Sequence, residues 1–465
     1  MSDILSPIFP KKRKLHHVDS IKIPFDLMSL DDDCLLHLLA YFTALELIHL
    51  RGLCSRLDRL ILRHRRNYVT FNFSSIPISE LTSVRVHEIL EFLGPVVKSL
   101  TINICCLNLE YFMGIEGRVK KFAELYSCIA QNCVKLESLT LEFLDLNSRT
   151  VKNLSLVVKK LKSFTLRQCQ FGESFVSCFD DVKNLEELSI LKNFSITYEF
   201  LTKVSNLKTL CIEDCKNSVF DEFDFTKVFK NNSTLKKLEI QNCKWLNDSL
   251  MNFITENVTE IQDLSISGFT DVKIHRISAL QHLKRLKIDA TNDKGVKSTD
   301  VESLLNGLNE ENLEDFHFTT DNLCFKIDLV AKFVNLRQLS LIRCNKITDI
   351  QMKKLQKLTS LEVLSLEGTA FSQNSLLGLI DSLPRLYLLW MTNDKMSPKL
   401  NLEFFEELIC LLKKTQDRSM EFAATYKMGQ NREISQNILD LLEKNRKCLK
   451  FVVLVRVPCG SGMCH

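Results

Sequence analysis

Seventeen cysteines are the residues of this 465-residue chain most able to do chemistry. A thiolate can attack a carbonyl, hold a metal or exchange into a disulfide, and each use imposes its own partners and spacing. The C-terminal run CGSGMCH brings Cys459, Cys464 and His465 within seven residues. A structural zinc site takes four ligands, normally as two close pairs, and no second pair accompanies this one. Nor is the run a prenylation box, because Gly462 stands where the cysteine would be. It reads as a disordered tail, with neither metal nor cofactor expected. No G-x-x-x-x-G-K, H-E-x-x-H, G-x-S-x-G or paired C-x-x-C motif occurs, and no histidine stands at a recognisable spacing from a cysteine. The chain is expected to be non-catalytic, with no catalytic residue to assign.

The elements around the cysteines suggest a different use. In LRQLSLIRCNKITD, Leu336 to Asp349, an L-x-x-L-x-L frame precedes Cys344. Conservative versions of the frame begin at Val97, Leu136, Leu161, Leu185, Leu207, Leu235, Ile261, Leu283, Leu313, Leu336, Leu361 and Leu386. From Leu136 the steps run from 22 to 30 residues. Eight residues after a frame start lie Cys105, Cys169, Asn193, Cys215, Cys243 and Cys344, so these residues follow the phase of the leucines. The pattern resembles leucine-rich repeats, and CNKITD and CKWLND resemble their cysteine-containing subclass. That resemblance implies an α/β solenoid, a horseshoe of parallel strands inside and helices outside, with cysteine as a buried filler of each turn. Each unit reads as strand, turn and returning helix, as in ITDIQMKKLQKLTSL with Ile347, Met352, Leu355 and Leu358 on one face.

Composition fits such an array. At 45% hydrophobic and 25% charged residues the chain can bury a large core. Its net charge of +4 is small for its length, so nucleic acid is not an expected partner. There is no apolar run of about 18 residues to span a bilayer and no apolar core of a secretory leader, so no membrane association is expected. The expected location is nucleus and cytoplasm, where cysteines stay thiols and behave as small hydrophobes.

A second pattern precedes the repeats. Residues 29–60 read SLDDDCLLHLLAYFTALELIHLRGLCSRLDRL. Asp31 to Asp33 place negative charge at a helix N-terminus, and the leucines that follow make that helix apolar on more than one face. So short a segment cannot bury all of that surface internally; it either seals the first repeat or awaits a partner. The stretch resembles the F-box, matching it at Leu30, Leu35, Leu36, Leu38, Tyr41, Phe42, Glu46, Leu47, Leu50, Leu53, Cys54, Arg56 and Leu60. Asp31 stands where that family usually has proline, and Leu57 where it usually has tryptophan. The resemblance implies an F-box/leucine-rich-repeat protein, the substrate-recognition subunit of an SCF-type ubiquitin ligase. Leu30, Leu35, Leu36, Leu38, Leu39, Phe42, Leu47 and Leu50 would contact a SKP-type adaptor and, through it, cullin and RING subunits. The alternative is a nuclear leucine-rich-repeat scaffold or inhibitor acting outside any ligase.

The remaining features set boundaries. Residues 1–22 form a disordered basic arm whose PKKRKL, with Lys11, Lys12, Arg13 and Lys14, suits the acidic groove of an importin. Residues 23–68 form the F-box-like module, 69–457 the solenoid and 458–465 the tail. VTFNF, with Val69, Phe71 and Phe73 alternating, predicts a first atypical strand, and NLEYFMGIEGRV a loop insertion. After Leu386 the frame lapses until Leu449, so 395–448 are expected to be lengthened, divergent repeats.

In an L-x-x-L-x-L strand the leucines face the core, so the third and fifth positions face the concave side. Early units place Ser and Thr there, middle units Lys237, Glu239, Arg285, Lys287, Asp315 and His317, and late units Val363, Leu388 and Trp390, with Ile342 nearby. Trp390, Leu388, Val363, Ile342, Arg285, Lys287 and Lys237 are the expected contacts for a target protein, unless residues 395–447 cover the apolar group as core.

Overall fold

The computed structural model describes residues 27–76, 83–103, 115–146, 151–195, 198–214, 223–291, 295–320, 323, 325–342, 344, 348–367, 372–392, 401–414, 418–427 and 436–456. The chain forms two compact units, Met1–Asn67 and Tyr68–His465.

The first unit is built on helices α1 (Asp32–Leu39), α2 (Ala44–Leu50) and α3 (Ser55–His64), with α1 and α2 both packed on α3. Asp31 caps α1, its carboxylate accepting from the Cys34 N–H at 2.7 Å. Thr43 and Glu46 form a reciprocal capping box on α2. Arg56 ties the start of α1 to α3: its guanidinium lies 2.7 Å from Asp32 and donates to the carbonyls of Met28 and Leu30 at 2.6 and 2.8 Å. Leu57 is buried on α3.

The second unit is a leucine-rich-repeat solenoid. Its first strands are β1 (Thr70–Asn72), β2 (Ser99–Asn103), β3 (Ser138–Glu142), β4 (Asp145–Leu146), β5 (Ser163–Arg167), β6 (Gln170–Phe171), β7 (Glu187–Leu191), β8 (Phe194–Ser195) and β9 (Thr209–Glu213). There follow β10 (Lys237–Gln241), β11 (Asp263–Ser267), β12 (Arg285–Asp289), β13 (Asp315–Thr319), β14 (Gln338–Ile342), β15 (Val363–Glu367), β16 (Leu388–Thr392), β17 (Met420–Lys427) and β18 (Leu449–Arg456). Fifteen strands pair in parallel as one sheet, in chain order apart from β4, β6 and β8, which form a second small sheet. The register keeps frame on frame: Leu339 pairs with Phe316 and Leu364, and all three are 0% exposed.

The turn after the strand follows one geometry. Phe143, Gln168, Lys192, Asp214 and Asn242 each follow a strand directly, and each has φ between 49° and 58°. Gly268 holds the same place after β11, and here glycine is required: a Cβ would come 2.7 Å from Asn242 Cα.

The outer layer departs from the expectation of one helix per unit. Units of 24 residues or fewer, starting at Leu161, Leu185, Ile261 and Leu313, return through the 3₁₀ turns Glu173–Phe179, Glu199–Lys203, Ile274–Ala279 and Ile327–Leu329. Units of 25 to 30 residues return through α-helices such as Phe225–Asn231, Ser298–Gly307 and Gln373–Ser382. A 3₁₀ turn rises about 2.0 Å per residue against about 1.5 Å for an α-helix, so a shorter unit spans the same return with fewer residues. In the first pair of short units, Phe171, Phe175, Phe179 and Phe200 fill the narrower interior, with ring centroids 4.9 to 5.4 Å apart.

The loop expected at NLEYFMGIEGRV needs correction, because its second half belongs to the helix Ile115–Asn132. Beyond β16, the helix Leu402–Lys414 leads to β17 and the helix Gln436–Lys444 to β18. Arg418 fastens this region to the preceding unit, donating to the carbonyls of Ile380, Leu383 and Leu386 at 3.0, 2.6 and 3.3 Å.

Candidate protein-binding surface

The in-phase cysteines sit in the turns. Cys344 is 2% exposed, and its Sγ lies 3.3 Å from both the Phe318 carbonyl of the previous strand and the Ile342 carbonyl of its own. Cys169 reaches the Leu141 and Arg167 carbonyls in the same way, and Cys243 those of Ile212 and Gln241. Asn193 replaces the thiol with an amide that donates to the Leu166 carbonyl and accepts from the Cys169 N–H. Burial pushes the Cys169 thiol up to about 12, so it stays protonated at neutral pH. Cys105 and Cys215 lie outside the described residues, as do Cys459, Cys464, His465 and the basic group Lys11, Lys12, Arg13 and Lys14. Among the described residues no three metal-ligating side chains come together, and no helix is long and apolar enough to cross a membrane.

The open face of the sheet carries side chains in register rows. The central row runs Thr101, Thr140, Thr165, Ser189, Cys211, Glu239, Ser265, Lys287, His317, Ser340, Ser365 and Trp390. Across β9 to β13 the face holds a depression of about 400 Å³ whose lining includes Glu213, Glu239, Asp263, Arg285, Lys287 and His317. Two of the three expected cations are already matched: Lys237 lies 2.8 Å from Glu239 and Arg285 2.9 Å from Asp263. Each pairing raises the cation's pKa above its ordinary value. No carboxylate among the described residues lies in salt-bridge range of Lys287. Burial, with the Lys287 ammonium as a second cause, holds His317 below the usual imidazole range, so its ring is neutral at pH 7. Burial likewise raises Asp315, against the pull of Arg285.

Farther along, Val363 pairs in register with Leu388, and Ser365 with Trp390. Trp390 is 38% exposed, whereas Leu389 and Met391 on either side of it point into the core. Ile342, Val363 and Leu388 are half-buried on the same face. The structure therefore places Ile342, Val363, Leu388 and Trp390 on neighbouring strands and sets Lys237, Arg285 and Lys287 apart from them in the depression. Sequence reading missed Glu213, Gln241 and Ser265 as lining, although the same alternation marks all three.

On the helical module the residues expected to contact an adaptor divide by burial. Leu35, Leu39 and Leu47 are at most 3% exposed, because three short helices must bury their own inward stripe. Leu30, Leu36 and Leu50 are half-buried. The outward apolar residues include Leu38, Phe42, Leu27 and Leu62, together with Tyr41 at 76% and Leu53 at 68% exposure, the last two absent from the expected contacts.

No family model matches the chain. Among solved structures it is similar to an internalin of Listeria monocytogenes, with 16% identity over 64% of this chain and 82% of that one and a TM-score of 0.41. It is also similar to internalin C2 of the same organism, with 19% identity over 49% of this chain and 80% of that one and a TM-score of 0.26. The parallel sheet and its repeating register make the second unit a leucine-rich-repeat solenoid.

Proposed function

We propose that this chain is the substrate-recognition subunit of an SCF-type cullin-RING ubiquitin ligase. The helical module docks a SKP-type adaptor, and the open face of the solenoid holds a target for ubiquitination and proteasomal degradation. The observation that carries this reading is the run from Leu30 to Leu60, whose order and spacing resemble those of an F-box apart from Asp31 and Leu57. The outward Leu38, Tyr41, Phe42 and Leu53 supply apolar surface of the kind a partner protein covers. Ligase chemistry belongs to the RING and ubiquitin-conjugating partners, and this chain contributes proximity and orientation. Lys11, Lys12, Arg13 and Lys14 engage an importin, giving residence in nucleus and cytoplasm.

Replacing Tyr41 and Phe42 together by Ala is expected to abolish co-purification of adaptor and cullin while the solenoid melts as in the parent. Adaptor binding at full strength in that variant would remove Tyr41 and Phe42 from the contact surface, and no adaptor binding in the parent would favour a nuclear scaffold or inhibitor. For the import signal, a fluorescent fusion with all four basic residues changed to Ala is expected to lose its nuclear fraction; an unchanged distribution removes that claim.

A further inference from the structure

Between the depression and the apolar cluster, the central row continues without a break through Lys287, His317, Ser340, Ser365 and Trp390. Its two ends are chemically unlike and its middle is small. Lys287 is exposed and has no carboxylate partner among the described residues. Beside it, Ser265 accepts a hydrogen bond from Gln241 Nε2, which leaves its own O–H as a donor. On the other side stands the neutral ring of His317. Ser340 is 6% exposed and forms a floor, with Ser365 after it. On β16 the row presents the indole of Trp390, with Leu388 and Val363 paired beside it, before continuing to Ala423 on β17.

We propose that this row is a groove for an extended segment of the target protein that carries an aspartate or glutamate at one end and a bulky apolar side chain at the other. The inference rests on the receptor reading above. An ammonium with no carboxylate in salt-bridge range among the described residues, set beside neutral donors, can seat a single carboxylate, and an exposed indole among aliphatic side chains calls for an apolar anchor. Four strand steps of about 4.8 Å separate Lys287 from Trp390, roughly 19 Å; at about 3.3 Å per extended residue, the two side chains stand about six residues apart. The serines between offer hydroxyls to the peptide backbone, whose polar groups need partners. A carboxylate fits better than a phosphorylated side chain. Glu213, Glu239, Asp263 and Asp315 also line the depression, against Arg285 and Lys287 as its cations, and a dianion would meet their repulsion.

The test is selection of a displayed library of random peptides, roughly twelve residues long to overspan the groove, on the purified full chain, followed by fluorescence polarisation of the best peptide. Enriched sequences are expected to pair Asp or Glu with Leu, Met, Phe or Trp about six positions away, in either chain direction. The parent is expected to lose at least about tenfold in affinity when the peptide's acid is changed to Lys, and Lys287→Glu to regain it with that changed peptide. No enriched pair, an acidic preference that survives Lys287→Glu, or tighter binding of a phosphoserine in place of the acid would overturn the proposal. Adaptor capture and thermal melting are read on the same preparations. Peptide selection without adaptor capture sinks the ligase reading alone, and adaptor capture without peptide selection sinks the groove alone.

Discussion

The two halves of the open face rest on different strands of the same parallel sheet and differ in the side chains they present. Over β2 to β7 the central row presents Thr101, Thr140, Thr165 and Ser189, all small hydroxyl groups. Over β12 to β16 it presents an ammonium with no carboxylate partner among the described residues and an exposed indole. Beneath both, the inward residues scarcely differ: Leu139, Phe164 and Leu188 in one half, and Phe316, Leu339 and Leu364 in the other, are 0% exposed. Inward positions therefore specify the scaffold, and under the proposed receptor reading the positions between them carry recognition, the second half serving as the binding surface.

The largest expected effect tests the first half as structure. Phe200→Ala empties the centre of the aromatic cluster and is expected to cost about 3–5 kcal/mol in denaturant melts, with target affinity per folded molecule unchanged. A loss below about 1 kcal/mol would mean that the cluster repacks freely. In the second half, Cys344→Ser is expected to cost about 1–3 kcal/mol by placing a more polar group in the buried turn, again without loss of binding in folded molecules.

Alkali tests the buried thiols. Burial raises Cys133, Cys169, Cys178 and Cys211 from 9.0 to about 12. The folded state holds these protons more tightly than the unfolded state. Their contribution is thus complete below pH 9 and falls as pH rises from 9 toward 12. Urea melts are expected to show a falling midpoint across that window; an unchanged midpoint would contradict this.

Trp390→Ala is expected to weaken target capture at least tenfold, about 1.4 kcal/mol, with little change in melting temperature. A large stability loss would make Trp390 core and move the target site into the charged depression. The smallest effect is expected for Thr140→Ala with Thr165→Ala, within about 0.5 kcal/mol of the parent in both stability and capture. A binding loss there would erase the contrast between the halves.

Much of the solenoid was legible because one rule recurs. Each frame start is followed two positions later by a strand, from Val97 and Ser99 to Leu386 and Leu388. The turn residue was harder to see, since Phe143, Gln168, Lys192, Asp214 and Asn242 share a left-handed backbone but no side-chain chemistry. The loop misreading came from the glycines of NLEYFMGIEGRV: Gly117 lies inside a helix, where tertiary packing outweighs a cost of about 1 kcal/mol. The adaptor surface was legible as apolar but not by side, because Leu35, Leu39 and Leu47 differ from Leu38 only in direction. Pairing also stayed hidden. Nothing in the residue types alone says that Asp263 is committed to Arg285 while Lys287 stays unmatched.

The claim that one chain joins an adaptor-binding module to a target-binding face is tested most directly by affinity purification of the full chain beside a form lacking residues 23–68. The account predicts that adaptor, cullin and RING proteins vanish from the shortened form while the same target proteins remain. A parent chain that brings down no adaptor, or an adaptor that survives the deletion, would contradict it.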